Sequence, residues 1–186
     1  MVRYTQMSLR EFEARARRLN VRYGMHETPF GKCQLGLSDL GICHLSFDHV
    51  NYGKESMPPM WHNANFILDQ ELTKEVLDNI IKGKTDDIDI FSVGSDFQHE
   101  VWRALLEIPY GTTVCYEQVA KMIGRPKAVR AVATAIGQNN IGYIIPCHRV
   151  ISKTGKINKY RWGADIKRKM LIYENPVLLK SFNSLA

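Results

Sequence analysis

The residues best suited to chemistry lie in one short run, IIPCHRVI, at positions 144–151. Cys147 follows Pro146 and stands directly before His148 and Arg149. Proline interrupts a strand ladder, and neighbouring positive charge lowers the pKa of a thiol and raises the thiolate fraction that a nucleophile needs. The run therefore predicts a reactive cysteine with a depressed thiol pKa. The alternative is a buried structural cysteine, the usual fate of cysteine in an apolar run.

Three helices are predicted upstream of this thiol. Asp96 begins an amphipathic helix, FQHEVWRALLEI, and shorter helices are predicted over 116–123 and 127–136. Gly124 and Gly137 end the two short helices. Two short helices joined by a tight turn are typical of a helix-turn-helix unit, although many other helical pairs share the pattern.

The second short helix carries small side chains on one stripe, at Ala128, Ala131 and Ala135. Such a stripe allows close approach either of another helix or of the floor of a DNA groove. Basic residues surround the turn, namely Arg125, Lys127 and Arg130. We interpret Arg130, a long cation among small residues, as a side chain that reaches into nucleic acid. The alternative is a surface salt bridge.

The first half of the chain has a different character. A helix is predicted over 8–19, where Ser8 and Glu11 form a capping-box pattern, and another over 70–82. Residues 21–50 contain strand-like runs broken by turns, which predicts a small antiparallel sheet. The predicted domains are a helical N-terminal extension (1–20), an α/β subdomain with its linker (21–94) and a C-terminal subdomain (95–186).

Composition narrows the class of protein. The 186 residues are 45% hydrophobic and 24% charged, which excludes general disorder. No apolar run reaches the ~18–20 residues of a membrane span, and the N-terminal stretch lacks the apolar core of a secretory signal. With only 4 cysteines, a disulfide-rich scaffold is disfavoured, and the cytoplasm, or the nucleus of a eukaryote, is the expected location.

Charge points to a partner. The net charge is +6, and residues 96–186 contribute 14 basic and 6 acidic side chains, net +8. A basic half of this kind favours a polyanion such as DNA or RNA, although a basic surface without a partner would have the same composition.

The run PCHRVI, preceded by FQHEVWRALLEIPYGTTVCYEQVAKMIGRPKAVRAVATAIGQN, resembles the O6-alkylguanine-DNA alkyltransferases. The likeness is strong from about residue 95 to 174 and looser through the first half. PKAVRAVA and YRWG resemble the Ada-like members of this family. PCHR together with an upstream RAV helix, an Asn nine residues after its Arg and a downstream acidic residue is a highly specific combination.

The resemblance implies a role for each catalytic position. Cys147 corresponds to the alkyl acceptor, His148 to the base that takes its proton through a water, and Glu174 to the carboxylate that orients this imidazole. Tyr116 corresponds to the proton donor at the guanine N3 edge. Asn139 corresponds to the hinge asparagine that ties the helix pair to the active-site loop. Its alternative role is a helix-end cap after residue 137.

The resemblance also implies how DNA is held. The target nucleotide rotates out of the duplex, Arg130 takes its place in the stack, and Tyr116 pushes on the target phosphate. The second helix of the pair enters the minor groove. The other expected DNA contacts are Arg125, Lys127, Ala128 and Ala131.

The expected substrate pocket is closed by the segment from residue 150 to 163. Its predicted residues are Val150, Tyr160, Arg161 and Trp162. The carbonyls of Cys147 and Val150 would accept from the guanine amino group, and the backbone N–H of Arg161 would face O6. We expect the ring of Trp162 to crowd bulky O6 substituents.

Further expectations follow from the same resemblance. The fold would be a ribonuclease-H-like α/β subdomain followed by a mainly helical one, acting as a monomer on double-stranded DNA without a membrane or an obligate protein partner. The S-alkylcysteine product is a stable thioether, so each chain would act once on O6-alkylguanine, with O4-alkylthymine as a second candidate lesion. No cofactor is implied. Cys33, Cys43 and His44 match no tetrahedral spacing, so no metal site is predicted.

Two other functions remain open from the residues themselves. A non-catalytic DNA binder would share the basic half, but the retained Cys147, His148 and Glu174 favour activity. A thiol hydrolase would also use Cys and His, but its partners normally lie far apart in sequence.

Overall fold

A computed structural model describes residues 2–47, 53–84, 87–157 and 160–178. The chain divides into two compact units, Met1–Asp96 and Phe97–Ala186. The first contains a mixed sheet with helices, and the second is mainly helical.

The first unit is built on a six-stranded sheet. Its strands are β1 (Arg3–Met7), β2 (Asn20–Thr28), β3 (Gly31–Ser38), β4 (Gly41–Ser46), β5 (Asn65–Leu68) and β6 (Asp89–Val93), in the order β1-β6-β4-β3-β2-β5. Successive hairpins make β2, β3 and β4 antiparallel, as predicted for this stretch. The sheet is nevertheless larger than predicted and mixed, because β5 and β6 return to pair in parallel with β2 and β4, and β1 pairs in parallel with β6.

Residues 1–20 differ from the predicted helical extension. Residues 3–7 form β1, which pairs with β6, and Arg3 bonds Asp89 across that pair at 2.6 Å. The helix is shorter than predicted: α1 spans Leu9–Glu13, and a 3₁₀ turn follows at Ala16–Arg18. The predicted capping box at Ser8 is present. Residues 3–7 are extended because they pair with a strand some 85 residues away in the chain. The local sequence does not reveal this pairing.

Aromatic packing forms the core of the first unit. Phe12 of α1 lies 4.5 Å, between ring centroids, from Trp61, which in turn meets Phe91 of β6 at 5.9 Å. The helix α2 (Gln70–Ile81) matches the predicted one. Cys33 and Cys43 are buried in β3 and β4, where burial raises the pKa of each thiol to about 12.

The second unit contains four helices among its described residues. They are α3 (Asp96–Leu106), α4 (Tyr116–Met122), α5 (Val129–Gly137) and α6 (Ala164–Glu174). The helix α5 begins two residues later than predicted, so Ala128 is its N-cap and Lys127 precedes it. The turn between α4 and α5 contains Gly124 at φ +68°, a conformation that suits glycine.

A short parallel pair fixes the start of α4. The strands β7 (Val114–Cys115) and β8 (Val150–Ile151) pair directly, with Cys115 opposite Ile151. Because β8 follows a 3₁₀ turn at Cys147–Arg149, the pair places the first residue of α4 beside the predicted reactive segment. None of the described helices is both long and apolar enough to cross a membrane.

Candidate active site

Asn139 organises the loop that carries the cysteine. Its side chain is buried, and its amide nitrogen donates to the carbonyl of Ile145 at 3.0 Å and reaches the sulfur of Cys147 at 3.2 Å. Its amide oxygen accepts from the backbone N–H of Ile141 at 2.9 Å. Its side-chain contacts are therefore to the loop, not to the last turn of α5, and they join the loop to the thiol.

The Cys147 thiol is buried in polar surroundings. Its sulfur also lies 3.8 Å from the hydroxyl of Tyr160. Burial raises the pKa of this thiol, and the contacts with Asn139 and Tyr160 and the charge of Lys167 offset only part of that effect. The predicted depression of this thiol pKa is therefore wrong.

The pKa of the thiol is not lowered as predicted because the side chains of His148 and Arg149 are directed at another group. Glu174 of α6 accepts from Nε2 of His148 at 2.8 Å and from two nitrogens of Arg149 at 2.8 and 2.9 Å. The backbone N–H of Gly111 donates to the same carboxylate at 3.1 Å. Arg149 also donates to the carbonyl of Ile108 at 2.6 Å. Adjacency in sequence places His148 and Arg149 beside the thiol, but the fold pairs both side chains with one carboxylate.

That carboxylate is ionised despite being buried. Burial alone would raise the pKa of Glu174, but the hydrogen bonds and charges of His148 and Arg149 outweigh it and bring the pKa to about 2. Burial lowers the pKa of His148, which favours a neutral imidazole. With Nε2–H donating to Glu174, the basic nitrogen is Nδ1, which has no hydrogen-bond partner among the described residues. The imidazole can therefore accept a proton at Nδ1 and be stabilised by the carboxylate behind it.

A cavity of about 660 Å³ opens onto the thiol. Its lining includes Cys147, Tyr116, Tyr160, Arg161, Trp162 and Lys167. This volume lies within the range of small-molecule sites. Val150, predicted as a pocket residue, is fully buried outside this lining, and its carbonyl accepts from Nζ of Lys167 at 2.6 Å.

Comparison with known proteins decides the family. Residues 96–176 match the family model of the 6-O-methylguanine DNA methyltransferase DNA-binding domain. A methylated-DNA–protein-cysteine methyltransferase of Methanosarcina barkeri is 40% identical over 157 residues, which are 82% of this chain and 96% of that relative. The chain belongs to the methylated-DNA–protein-cysteine methyltransferase family.

Other relatives agree in sequence and in fold. The bifunctional transcriptional activator/DNA repair enzyme Ada of Escherichia coli is 37% identical over 171 residues, and this chain spans about half, 48%, of its length. A crystal structure of Mycobacterium tuberculosis OGT in complex with DNA superposes with a TM-score of 0.68 at 32% identity, covering 83% of this chain and 93% of that one.

The residues that the sequence predicts to contact DNA differ in their surroundings. Arg130 and Lys127 are exposed and form no ion pair with the residues that the structure describes. Arg125 is engaged within the unit, since it pairs with Glu100 at 3.0 Å and lies 5.5 Å from the Phe97 ring centroid.

The predicted stripe of small residues is divided by the fold. Ala131 is exposed, whereas Ala135 is buried, and its carbonyl accepts from the indole N–H of Trp102 at 2.8 Å. The exposed part of the stripe is therefore confined to the first turn of α5, next to Arg130.

Lys167 is a site residue that the sequence reasoning missed. It is buried on α6, burial lowers its pKa to about 8, and the charge of a Cys147 thiolate would act in the opposite direction. Helical spacing could have identified it, because Lys167 shares the inward face of α6 with Leu171 and Glu174, four and seven residues later. A lysine on that buried face requires a hydrogen-bond acceptor in the protein interior, and the carbonyl of Val150 supplies it.

The sequence did not reveal a contact that links the cavity lining to the loop after α5. Arg161 donates to the side chain of Asn140 at 2.9 Å, and its guanidinium lies 5.7 Å from the Trp162 ring centroid. The Trp162 ring meets Tyr160 edge-on at 5.3 Å. The segment before α6 is thus joined to the loop that follows α5.

Proposed function

We propose that this chain transfers the alkyl group of O6-alkylguanine in duplex DNA to the sulfur of Cys147, once per molecule. The observation that supports this most is a thiol that lines the cavity and is followed directly in the chain by a buried histidine paired with a carboxylate. The histidine, His148, is neutral with a basic Nδ1, and Glu174 fixes that tautomer.

The proposed reaction is a displacement at carbon. The proton of the Cys147 thiol passes through a water to Nδ1 of His148, and Glu174 stabilises the imidazolium. The thiolate attacks the alkyl carbon, a C–S bond forms, and the bond from carbon to O6 breaks with its electron pair moving into the guanine. Tyr116, which lines the cavity, supplies a proton at the guanine N3 edge.

A raised thiol pKa is compatible with this reaction. A buried sulfur that is largely protonated at rest reacts little with adventitious electrophiles. Deprotonation is then coupled to a bound substrate through His148, a general-base contribution of about 10²–10⁴-fold. The product is a thioether that no group in the site can displace, so the reaction is stoichiometric and needs no cofactor.

Base extrusion accounts for how the lesion reaches a buried sulfur. The target nucleotide leaves the stack at a cost of a few kcal/mol, and Arg130 on the exposed first turn of α5 fills its place. We propose that α4 and α5 act as a helix-turn-helix whose second helix enters the minor groove, with Lys127, Ala128 and Ala131 against the duplex. Tyr116 would push the target phosphate.

The extruded guanine would be read by backbone groups. The carbonyls of Cys147 and Val150 would accept from its amino group, and the N–H of Arg161 would face O6. Since the Val150 carbonyl already accepts from Lys167, guanine would use its second lone pair. O4-alkylthymine is a secondary candidate lesion. We further expect a ribonuclease-H-like first unit and a monomer acting on chromosomal DNA in the cytoplasm, or in the nucleus of a eukaryote.

One incubation separates this function from its alternatives. Duplex DNA bearing O6-[methyl-³H]guanine is mixed with the protein, and protein-bound label is counted against time. We expect label to reach one equivalent per chain and stop, Cys147→Ser to take up none, and Cys115→Ser, a matched free cysteine of the same unit, to behave as the native chain. Binding without label transfer would indicate a non-catalytic binder, and repeated turnover a hydrolase.

A further inference from the structure

Tyr143 has an unusual backbone conformation for an aromatic residue. Its φ is +66°, and the N–H of Ile144 donates to the carbonyl of Gly142 at 2.8 Å, which closes a three-residue turn around it. Among the described residues, Asp87 is the other non-glycine residue with a positive φ. Turns of this hand are rare and strained, and such strain persists where the surroundings hold it, most often at functional sites.

The surroundings that hold Tyr143 are the proton-accepting histidine and its neighbours. The Tyr143 ring stacks on the imidazole of His148, with centroids 5.6 Å apart and planes inclined by 12°. The ring of Tyr110 lies 5.5 Å from the guanidinium of Arg149, the neighbour of His148 in sequence. Tyr143 is mostly buried and His148 completely so, which leaves little space for either ring to rotate.

The stack supplies a constraint that the carboxylate cannot. The hydrogen bond from Nε2 of His148 to Glu174 fixes one edge of the imidazole but allows the ring to pivot about that bond. A flat aromatic face against the imidazole removes this freedom and fixes the direction of Nδ1. It also favours the imidazolium, because an aromatic face attracts a cation.

We propose that Tyr143 is a positioning residue for the proton relay: its ring holds the plane of His148 so that Nδ1 is directed toward the Cys147 thiol. The proposal rests on the proposed alkyl transfer, since it assigns the residue that orients the base of that reaction. The strained turn is the means by which the loop between Asn139 and Cys147 brings a ring over the imidazole.

Two kinds of variant separate the ring from the backbone. Tyr143→Phe keeps the ring and removes the hydroxyl, whereas Tyr143→Gly and Tyr143→Asn remove the ring and accept a positive φ. Asp87→Gly, at the other strained non-glycine position, controls for the effect of relaxing a strained residue elsewhere. The single-turnover transfer rate at saturating DNA and the affinity for the same duplex are measured separately.

We expect Tyr143→Phe and Asp87→Gly to keep the native rate. Tyr143→Gly and Tyr143→Asn should slow transfer by at least about tenfold with little change in DNA affinity, because orientation of the base is lost and binding is not. Long-range ¹H–¹⁵N spectra of the histidine-labelled chain, with the His148 signal assigned from His148→Gln, should show a single tautomer in the native chain and Tyr143→Phe, and exchange between states without the ring.

The two readouts also separate this proposal from the proposed function. Native rates in both ring-less variants, or an unchanged His148 signal in them, would overturn the role of Tyr143 while alkyl transfer stands. Absence of transfer in the native chain would overturn the function, and the spectra would still decide whether the Tyr143 ring fixes the imidazole.

Discussion

At the scale of single residues, the thiol of Cys147 is surrounded by groups that act on it in opposite directions. Burial disfavours the thiolate, whereas Asn139, Tyr160 and the nearby charge of Lys167 favour it. The side chains adjacent in sequence, His148 and Arg149, pair with Glu174 instead. Helix α6 therefore supplies both Lys167, whose charge favours the thiolate, and Glu174, which holds His148 and Arg149.

Replacing Lys167 by methionine tests the electrostatic part of this account. The ammonium lowers the pKa of the thiol, so Lys167→Met should raise that pKa further and slow alkylation of Cys147 by iodoacetamide near neutral pH. The pKa of Lys167 itself is about 8, so the native chain loses this assistance as the pH rises through that value, and the difference between the two proteins should shrink in alkali.

The measurement is the pH dependence of the alkylation rate, with Cys147 modification read by mass spectrometry. Lys169→Met, which removes an exposed cation two residues along the same helix, is the matched control and should keep the native profile. Superimposable profiles for Lys167→Met and the native chain would contradict the account.

Some of these residues could be predicted and others could not, for physical reasons. PCHR identifies Cys147 and His148 because their chemistry depends on residue type within one short run. Arg149 was misjudged because adjacency in sequence does not determine where a long side chain points. Lys167 was missed because it is followed directly by Arg168 and Lys169. In such a run of basic residues, only the position on the helix distinguishes the buried side chain from the exposed ones.

At the scale of elements, three segments converge on the cavity. The loop after α5 carries the thiol, the β7–β8 pair places the start of α4 beside it, and the segment before α6 supplies Tyr160 and Trp162. The contact of Arg161 with Asn140 joins this last segment to the loop after α5. We therefore expect side chains of the segment before α6 to set the size of the group that can enter.

Trp162 should discriminate between small and bulky alkyl groups. Its ring lines the cavity and is braced by Tyr160 and Arg161, so O6-methylguanine should react much faster than O6-benzylguanine. In Trp162→Gly, the ratio of the benzyl rate to the methyl rate should rise by at least about tenfold. Single-turnover rates with the two lesions give this ratio, and equal native rates would contradict the role of Trp162.

Elements were predictable where local signals define them. The capping residue Ser8 marks the start of α1, and glycines mark the ends of α4 and α5 closely. Apolar spacing marks α2 and α3, whereas the early end of α1 was not predicted. Strand β1 was not predictable, because only pairing with a distant strand makes residues 3–7 extended. The parallel returns of β5 and β6 were missed for the same reason.

At the scale of the whole molecule, charge is unevenly distributed along the chain. Residues 96–186 carry a net charge of +8, and the rest of the chain a net charge of −2. The exposed cations Arg130 and Lys127 lie beside the first turn of α5. Binding to DNA should therefore depend on counterion release from the phosphates that this half contacts.

The salt dependence of binding tests this distribution. The logarithm of the association constant should fall linearly with the logarithm of salt concentration, and Lys127→Ala should reduce the slope by about one. Lys74→Ala, which removes a cation of α2 already paired with Asp78, should leave the slope unchanged. Fluorescence anisotropy with a labelled duplex measures both, and equal slopes for Lys127→Ala and the native chain would argue against phosphate contact there.

The central claim concerns one sulfur atom and is best tested there. Protein that has been exposed to duplex DNA containing O6-methylguanine is digested, and the mass of the peptide that contains Cys147 is measured by mass spectrometry. The account predicts one methyl group on that sulfur in stoichiometric yield, with guanine restored in the DNA. An unmodified Cys147 peptide after the lesion has disappeared, or repair by Cys147→Ser, would contradict it.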